Sequence, residues 1–144
     1  MHLSTHLKSM LVDMPMIRRE LKLAGLAEGA RDYYTAGAHY DNAGMKARVL
    51  GMEQDAMKYL RRSSRYFEME ALAMARSAEG TVSGGLGSGS MEDGNRRGIA
   101  ECLRRAAIAA EYSDMHGRYK GLAYSAEMIE QHPELIGLLI AAEK

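Results

Sequence analysis

This chain of 144 residues has no tryptophan, no formal net charge and a single cysteine. Its one cysteine, Cys102, excludes an intrachain disulfide and a metal cluster built on cysteine ligands. Basic and acidic residues balance, so no strong overall field attracts nucleic acid. No apolar run approaches the roughly 20 residues that span a bilayer, and the N-terminus lacks the apolar core of a secretory signal. We therefore predict no membrane span, and a location in the cytoplasm or within a particle assembled inside the cell.

The sequence also lacks the patterns of a catalytic or cofactor site. It contains no HExxH, no GxSxG and no P-loop ending in G-K-[ST]. Glu68 and Glu70 point about 200° apart on a helix, so these carboxylates cannot act as a pair. Cys102 stands beside Leu103 on an apolar face, which favours a buried small hydrophobe over a reactive thiolate. We predict no catalytic residue, no cofactor and no metal site, and a protein that is not an enzyme.

Methionine is what the sequence has in abundance. Twelve methionines stand among many alanines and leucines, with a single phenylalanine, Phe67. Methionine fills irregular gaps and adapts to different partners. Two interpretations stay open: a soft helical core, or a methionine-lined docking surface.

The most regular segment covers residues 45 to about 78 and contains no proline. Its apolar or small residues recur at steps of three or four, which is the helical period: Met45, Val49, Met52, Ala56, Leu60, Ser63, Phe67, Ala71, Met74 and Ala78. As one helix it would be about 50 Å long at about 1.5 Å per residue. We predict it as a long central helix that needs several partners.

Shorter helices are predicted on its N-terminal side. One ends at a corner at Pro15, where a second helix over residues 15–24 begins. A further helical stripe ends at residues 41–44, because Asn42 and Gly44 accept the left-handed conformation of a helix end.

The C-terminal side begins with a change of composition. Residues 80–94, GTVSGGLGSGSMEDG, predict a flexible connector, either a natural loop or an engineered joint. A helix over 96 to about 115 follows and ends at His116, and another covers 119–131. A last helix begins at Pro133 and is nearly all apolar. We predict its apolar face as a partner-binding surface: Leu135, Ile136, Leu139 and Ile140.

Residues 36–50 and 108–122 resemble each other. The matches are Tyr40 with Tyr112, Lys46 with Arg118, Arg48 with Lys120, and Leu50 with Leu122. Each copy predicts a helix, a short turn and a second helix, as in an antiparallel helical hairpin.

The second copy resembles a tetratricopeptide hairpin. Small residues precede a tyrosine, and a glycine-bearing turn, an alanine and a closing proline follow: Ala109, Tyr112, Gly117, Ala126 and Pro133. The family's aromatic residue at the hairpin start falls near Arg105, and the first copy has no closing proline. The resemblance implies a groove for a partner peptide or helix, while two ordinary helical hairpins of similar composition fit the same pattern.

A basic element lies on the predicted long helix, where four side chains share part of one face: Lys58, Arg61, Arg62 and Arg65. Arginine forks match phosphate oxygens, so this face predicts contact with a phosphate or a nucleic acid. It fits equally well a solvated face paired with nearby carboxylates. The RRSS run also resembles a phosphorylation site at Ser64. A second basic group stands on a later helix: Arg96, Arg97, Arg104 and Arg105.

These observations predict one all-α domain over residues 1–144, a bundle of five or six helices packed on one long central helix. Helical hairpins over 1–79 and 95–144 would be joined by the connector. We predict a non-enzymatic structural or adaptor protein that forms a homo-oligomer or docks onto larger protein partners, as in a virion or a secretion-type assembly. The alternative is a nucleic-acid-associated helical protein that uses the arginine-rich face.

Overall fold

The computed structural model describes the backbone of residues 2–83 and 89–132, and the side chains of residues 14–77 and 97–132. Within these residues it contains five α-helices and no strand: α1 (His2–Gly29), α2 (Tyr33–Val49), α3 (Glu53–Ser83), α4 (Gly89–Tyr112) and α5 (His116–Gln131). The prediction of an all-α fold is confirmed.

Tight turns join α1 to α2, α2 to α3, and α4 to α5. Each turn contains one residue with a positive φ: Arg31 at 58°, Gly51 at 77° and Asp114 at 59°. The first turn also caps α2, because a side-chain oxygen of Asp32 accepts a hydrogen bond from the backbone N–H of Thr35 at 3.3 Å. Turns this short make the helices that they join run antiparallel.

The corner predicted at Pro15 is wrong. α1 is one helix of 28 residues with Pro15 inside it, so no separate helix begins there. A proline inside a helix removes one backbone hydrogen bond and costs about 3 kcal/mol. Packing against α2 offsets this cost, since Ile17, two residues later, is buried in a cluster with Ala43 and Ala47.

The helix end predicted at residues 41–44 is also wrong. α2 runs through this segment, and the chain turns at Gly51 instead. Gly44 is buried inside α2, where a Cβ would lie 2.6 Å from Cγ of Leu60. This glycine therefore lets α2 and α3 approach closely. The first of the two similar segments, residues 36–50, consequently forms no hairpin.

The predicted long helix is present as α3, but it begins at Glu53 rather than at residue 45. Its predicted apolar face is buried: Ala56, Leu60, Ser63, Phe67 and Ala71. The boundary after α4 also differs from the prediction. α4 ends at Tyr112, and His116, which the sequence predicts as its end, starts α5.

The helices pack in the order of the sequence, since α2, α3 and α4 each pack mainly on the preceding and the following helix. Contacts between helices two apart place α1, α3 and α5 along one face and α2 and α4 along the other. Tyr66 of α3 donates a hydrogen bond to Glu28 of α1, and Arg105 of α4 lies over the ring of Tyr34 of α2. Packing of all the helices on one central helix is not confirmed, because α1 packs on α2 and α5 packs on α4.

Two adjacent serines fasten α3 to both of its neighbours. Ser63 Oγ donates a hydrogen bond to the carbonyl of Gly37 in α2 at 2.8 Å, and Ser64 Oγ donates to the carbonyl of Ala106 in α4 at 2.7 Å. Both serines are fully buried. Small side chains at these contacts bring the backbones close enough for hydroxyls to bridge them.

The methionines divide between core and surface. Met74 and Met115 pack against the main core, which lies between α3, α4 and α5. Met16, Met45 and Met69 are exposed. The described part of the chain therefore contains both a methionine contribution to the core and exposed methionine surface.

Helix also covers part of the connector predicted over residues 80–94. α3 extends to Ser83 and α4 begins at Gly89, while 84–88 lie outside the described residues. The predicted partner-binding face of the last helix also lies outside them: Leu135, Ile136, Leu139 and Ile140. Among the helices that are described, none combines the length and apolar content needed to cross a membrane.

Candidate functional site: an arginine groove between α3 and α5

Three of the four basic residues predicted on α3 lie together. Because one face of α3 is buried, Arg61, Arg62 and Arg65 stand on its exposed side. They line one cavity of about 190 Å³ together with Met115 and Arg118.

The fourth basic residue predicted on this face, Lys58, is exposed and is not part of this cavity. Arginines therefore supply the cations that converge at this site.

A second cavity of about 230 Å³ continues along α3. Its lining consists of Arg65, Glu68, Met69, Leu72 and Arg118. Arg65 and Arg118 line both cavities, so the two lie side by side along the surface where α3 meets α5. We call this surface the arginine groove.

Arg118 is the member of the groove that the sequence did not reveal. Its Nε donates a hydrogen bond to Ser64 Oγ at 3.2 Å, and its Nη2 forms an ion pair with Glu68. Arg118 and Glu68 side chains are 29% and 21% exposed, so this pair is partly shielded from water. The internal similarity aligns Arg118 with Lys46, but no sequence signal links it to α3.

Arg62 is held by tyrosine side chains rather than by α5. Its guanidinium donates a hydrogen bond to the hydroxyl of Tyr40 at 3.1 Å and lies 5.5 Å from the centre of that ring. The hydroxyls of Tyr40 and Tyr66 both donate to Glu28 of α1. The two tyrosine rings stack with 5.8 Å between their centres. This cluster fixes Arg62 where α1, α2 and α3 meet.

The same cluster shifts the pKa values of all four of its side chains, Glu28, Tyr40, Arg62 and Tyr66. Burial alone would raise the pKa of Glu28, but the hydrogen bonds from Tyr40 and Tyr66 and the charge of Arg62 outweigh it, and the pKa is lowered. Burial, followed by the hydrogen bond to Glu28, raises the pKa of Tyr66 to about 12. Glu28 is therefore a carboxylate at neutral pH and offsets part of the charge of Arg62.

Arg61 and Arg65 differ from their neighbours. Both are exposed, and neither forms an ion pair or a hydrogen bond within the part of the chain that the structure describes. The arginine groove thus contains two guanidinium groups with unused donors beside two that are already engaged.

The second basic group of the sequence gives a useful contrast. Arg104 forms an ion pair with Glu130, and Arg105 forms one with Glu101 and also lies over the ring of Phe67. Arg104 and Arg105 are therefore each paired with a carboxylate, unlike Arg61 and Arg65.

The resemblance of the RRSS run to a phosphorylation site at Ser64 does not suit the folded chain. Ser64 is fully buried and its hydroxyl bridges to Ala106, so a kinase cannot reach it. The interpretation of Cys102 as a buried residue is confirmed, since only 3% of it is exposed. Burial, followed by the charge of Glu70, raises the pKa of its thiol to about 11. Among the residues whose side chains are described, no three or more His, Cys, Asp or Glu side chains lie close enough together to hold a metal ion.

Comparison with protein-family models, with curated protein sequences and with solved structures finds no match to this chain.

Proposed function

We propose that this protein is a non-enzymatic adaptor or structural subunit whose arginine groove binds a segment of a partner protein. The observation that supports this function most directly is the groove itself, which opens between alternate helices of a sequential array. Stacked helices of this kind build elongated binding surfaces. The tetratricopeptide resemblance of the second hairpin implies the same use of a groove.

The lining of the groove favours a protein segment over a simple ion. Met69, Leu72 and Met115 supply apolar contacts beside the arginines. Apolar contacts with a few polar anchors are typical of sites that bind peptides and helices. Met69 is 39% exposed, so a bound segment would cover apolar surface that now faces water.

A steric block of the groove tests this function without changing its charge. Met69→Trp places a larger side chain in the groove. Met16→Trp places the same side chain on α1, at a residue that lines neither cavity; the two methionines are 39% and 40% exposed. Random peptides displayed on phage are selected on the wild-type protein and then measured on both variants. We expect selected peptides to bind wild type and Met16→Trp and to bind Met69→Trp at least about tenfold more weakly. Selection of no groove-dependent peptide would refute the function.

Nucleic-acid binding is a second candidate, favoured by the unused donors of Arg61 and Arg65. Arginine binds phosphate oxygens well, and such binding weakens steeply with salt. Retention of DNA or RNA on a column at rising salt measures it. Retention that Arg61→Glu abolishes, with an unchanged circular dichroism spectrum, would favour this candidate over the protein-binding one.

Self-association is proposed from a different surface. The contact of Arg48 with Tyr112 brings the C-terminal ends of α2 and α4 together. Three apolar side chains at these ends are also exposed: Met45, Val49 and Ile108. Light scattering over a concentration series measures assembly. A strict monomer at all concentrations would contradict this part of the proposal, and a larger mass that Val49→Glu reduces would support it.

A further inference from the structure

We infer that the partner segment bound in the arginine groove is acidic, with carboxylate side chains that bind Arg61 and Arg65 and an apolar side chain that lies on the exposed Met69. This inference rests on the proposed function, because it names the chemistry of the segment that the groove takes.

The groove already holds one carboxylate. Glu68 forms an ion pair with Arg118, and Ser64 Oγ accepts a hydrogen bond from Nε of the same guanidinium. One guanidinium of the groove is therefore already paired with a carboxylate. Arg65 lines the same cavity as this pair, and none of the carboxylates whose side chains are described forms an ion pair with it.

The positions of the two unpaired arginines suit a linear ligand. Arg61 and Arg65 are one helical turn apart, about 6 Å along α3. Side chains two residues apart in an extended segment are separated by roughly 7 Å. Alternate glutamates of an extended peptide can therefore reach both guanidinium groups. The span from Arg61 to Leu72 is about 16 Å, which accommodates about five extended residues.

The charge of the groove favours an acidic peptide over a nucleic acid. Glu68 stands in its wall, and Glu28 offsets part of the charge of Arg62. A nucleic acid presents one negative charge per about 1.7 Å of duplex, so a strand lying along the groove would bring phosphates close to Glu68. A peptide can place its few carboxylates at the free arginines and an apolar side chain beside Glu68.

Fluorescence anisotropy of labelled synthetic peptides tests the inference. The probe is a peptide of glutamate and leucine about six residues long. Its counterpart carries glutamine in place of each glutamate, and a single-stranded oligonucleotide of similar length is the third probe. The proteins are wild type, the double variant Arg61→Gln/Arg65→Gln, and Arg19→Gln. Arg19 is an exposed arginine on α1 that lines neither cavity.

The expected result is that the acidic peptide binds wild type and Arg19→Gln equally and binds the double variant about tenfold more weakly. The glutamine peptide should bind wild type about tenfold more weakly than the acidic one. Equal binding of both peptides, tighter binding of the oligonucleotide, or no loss in the double variant would each overturn the inference. Circular dichroism must be unchanged in both variants, which removes unfolding as an explanation.

The two proposals fail in different ways. If phage selection yields groove-dependent peptides that are neutral or basic, the groove is a binding site but the acidic partner is wrong. If selection yields no groove-dependent peptide, the proposed function is wrong, and the inference that rests on it is overturned as well.

Discussion

Replacing Gly44 with alanine tests the closest approach between two helices of the fold. Gly44 lies inside α2, and a Cβ at this position would be 2.6 Å from Cγ and 2.8 Å from Cδ2 of Leu60, and 3.3 Å from the carbonyl oxygen of Ala56. Carbon atoms in good contact are about 3.5–4.0 Å apart. Leu60 is fully buried, so its side chain has no open space to move into.

Two opposing contributions determine how much Gly44→Ala changes the free energy of unfolding. Overpacking in a close-packed core costs about 1–3 kcal/mol. Alanine is a better helix former than glycine, which returns about 0.5–1 kcal/mol. The net expectation is a loss of about 1 kcal/mol in the free energy of unfolding.

Gly121→Ala is the matched control. Gly121 is an exposed residue of α5, and a Cβ there would meet nothing within 4 Å. Only the better helix-forming tendency of alanine acts at this position. The free energy of unfolding of this variant should therefore rise by about 0.5–1 kcal/mol. The difference between the two variants isolates the packing penalty.

Urea unfolding followed by far-ultraviolet circular dichroism measures both variants. An unchanged m-value with a shifted midpoint shows a change in stability alone. In thermal unfolding, 1 kcal/mol corresponds to a shift of roughly 3 °C for a chain of this size. A Gly44→Ala protein as stable as Gly121→Ala would refute the close packing of α2 on α3.

Three further predictions concern the core and the titrating groups. Leu103→Ala should lower the free energy of unfolding in urea by about 2–5 kcal/mol, because Leu103 is fully buried. Ile108→Ala on the same helix should change it by about 0.5 kcal/mol or less, because half of Ile108 is exposed. Equal losses would contradict this packing of α4. Tyr66 has its pKa raised from 10.0 to about 12, so its contribution to stability is fully present below pH 10 and is lost as the pH rises through 12. The free energy of unfolding should therefore fall more steeply across this range in wild type than in Tyr66→Phe. Parallel curves for the two proteins would argue against the hydrogen bond from Tyr66 to Glu28. Cys102 is buried and its pKa is raised to about 11, so a thiol reagent at neutral pH should label it slowly until denaturant is added; rapid labelling of the native protein would show that the thiol is accessible.

Periodicity predicted helix type and the buried face of α3, because burial repeats with the period of the helix itself. The helix ends were harder to predict because one residue type serves two purposes. Gly51 adopts a positive φ and ends a helix, whereas Gly44 lies within one and makes room for Leu60. Local sequence does not distinguish these uses, since the second depends on which helix packs across from it.

The arginine groove was also only partly predictable from the sequence. Arg61 and Arg65 belong to one helix, so their spacing was visible in the sequence. Arg118 reaches them through a partner 54 positions away, Ser64, and that contact follows from the packing of α5 beside α3. A site made by helices two apart in an array has no signature within either helix.

Local charge matters more than net charge for this protein. The chain as a whole is neutral, yet four arginines converge between α3 and α5 with Glu68 as the carboxylate in the same lining. Charges farther away than about 10 Å are screened at an ionic strength of about 0.1 M. A bound segment would therefore respond mainly to the arginines that it touches. Its affinity should fall with salt according to the number of ion pairs formed in the arginine groove, even though the protein as a whole has no excess of positive charge.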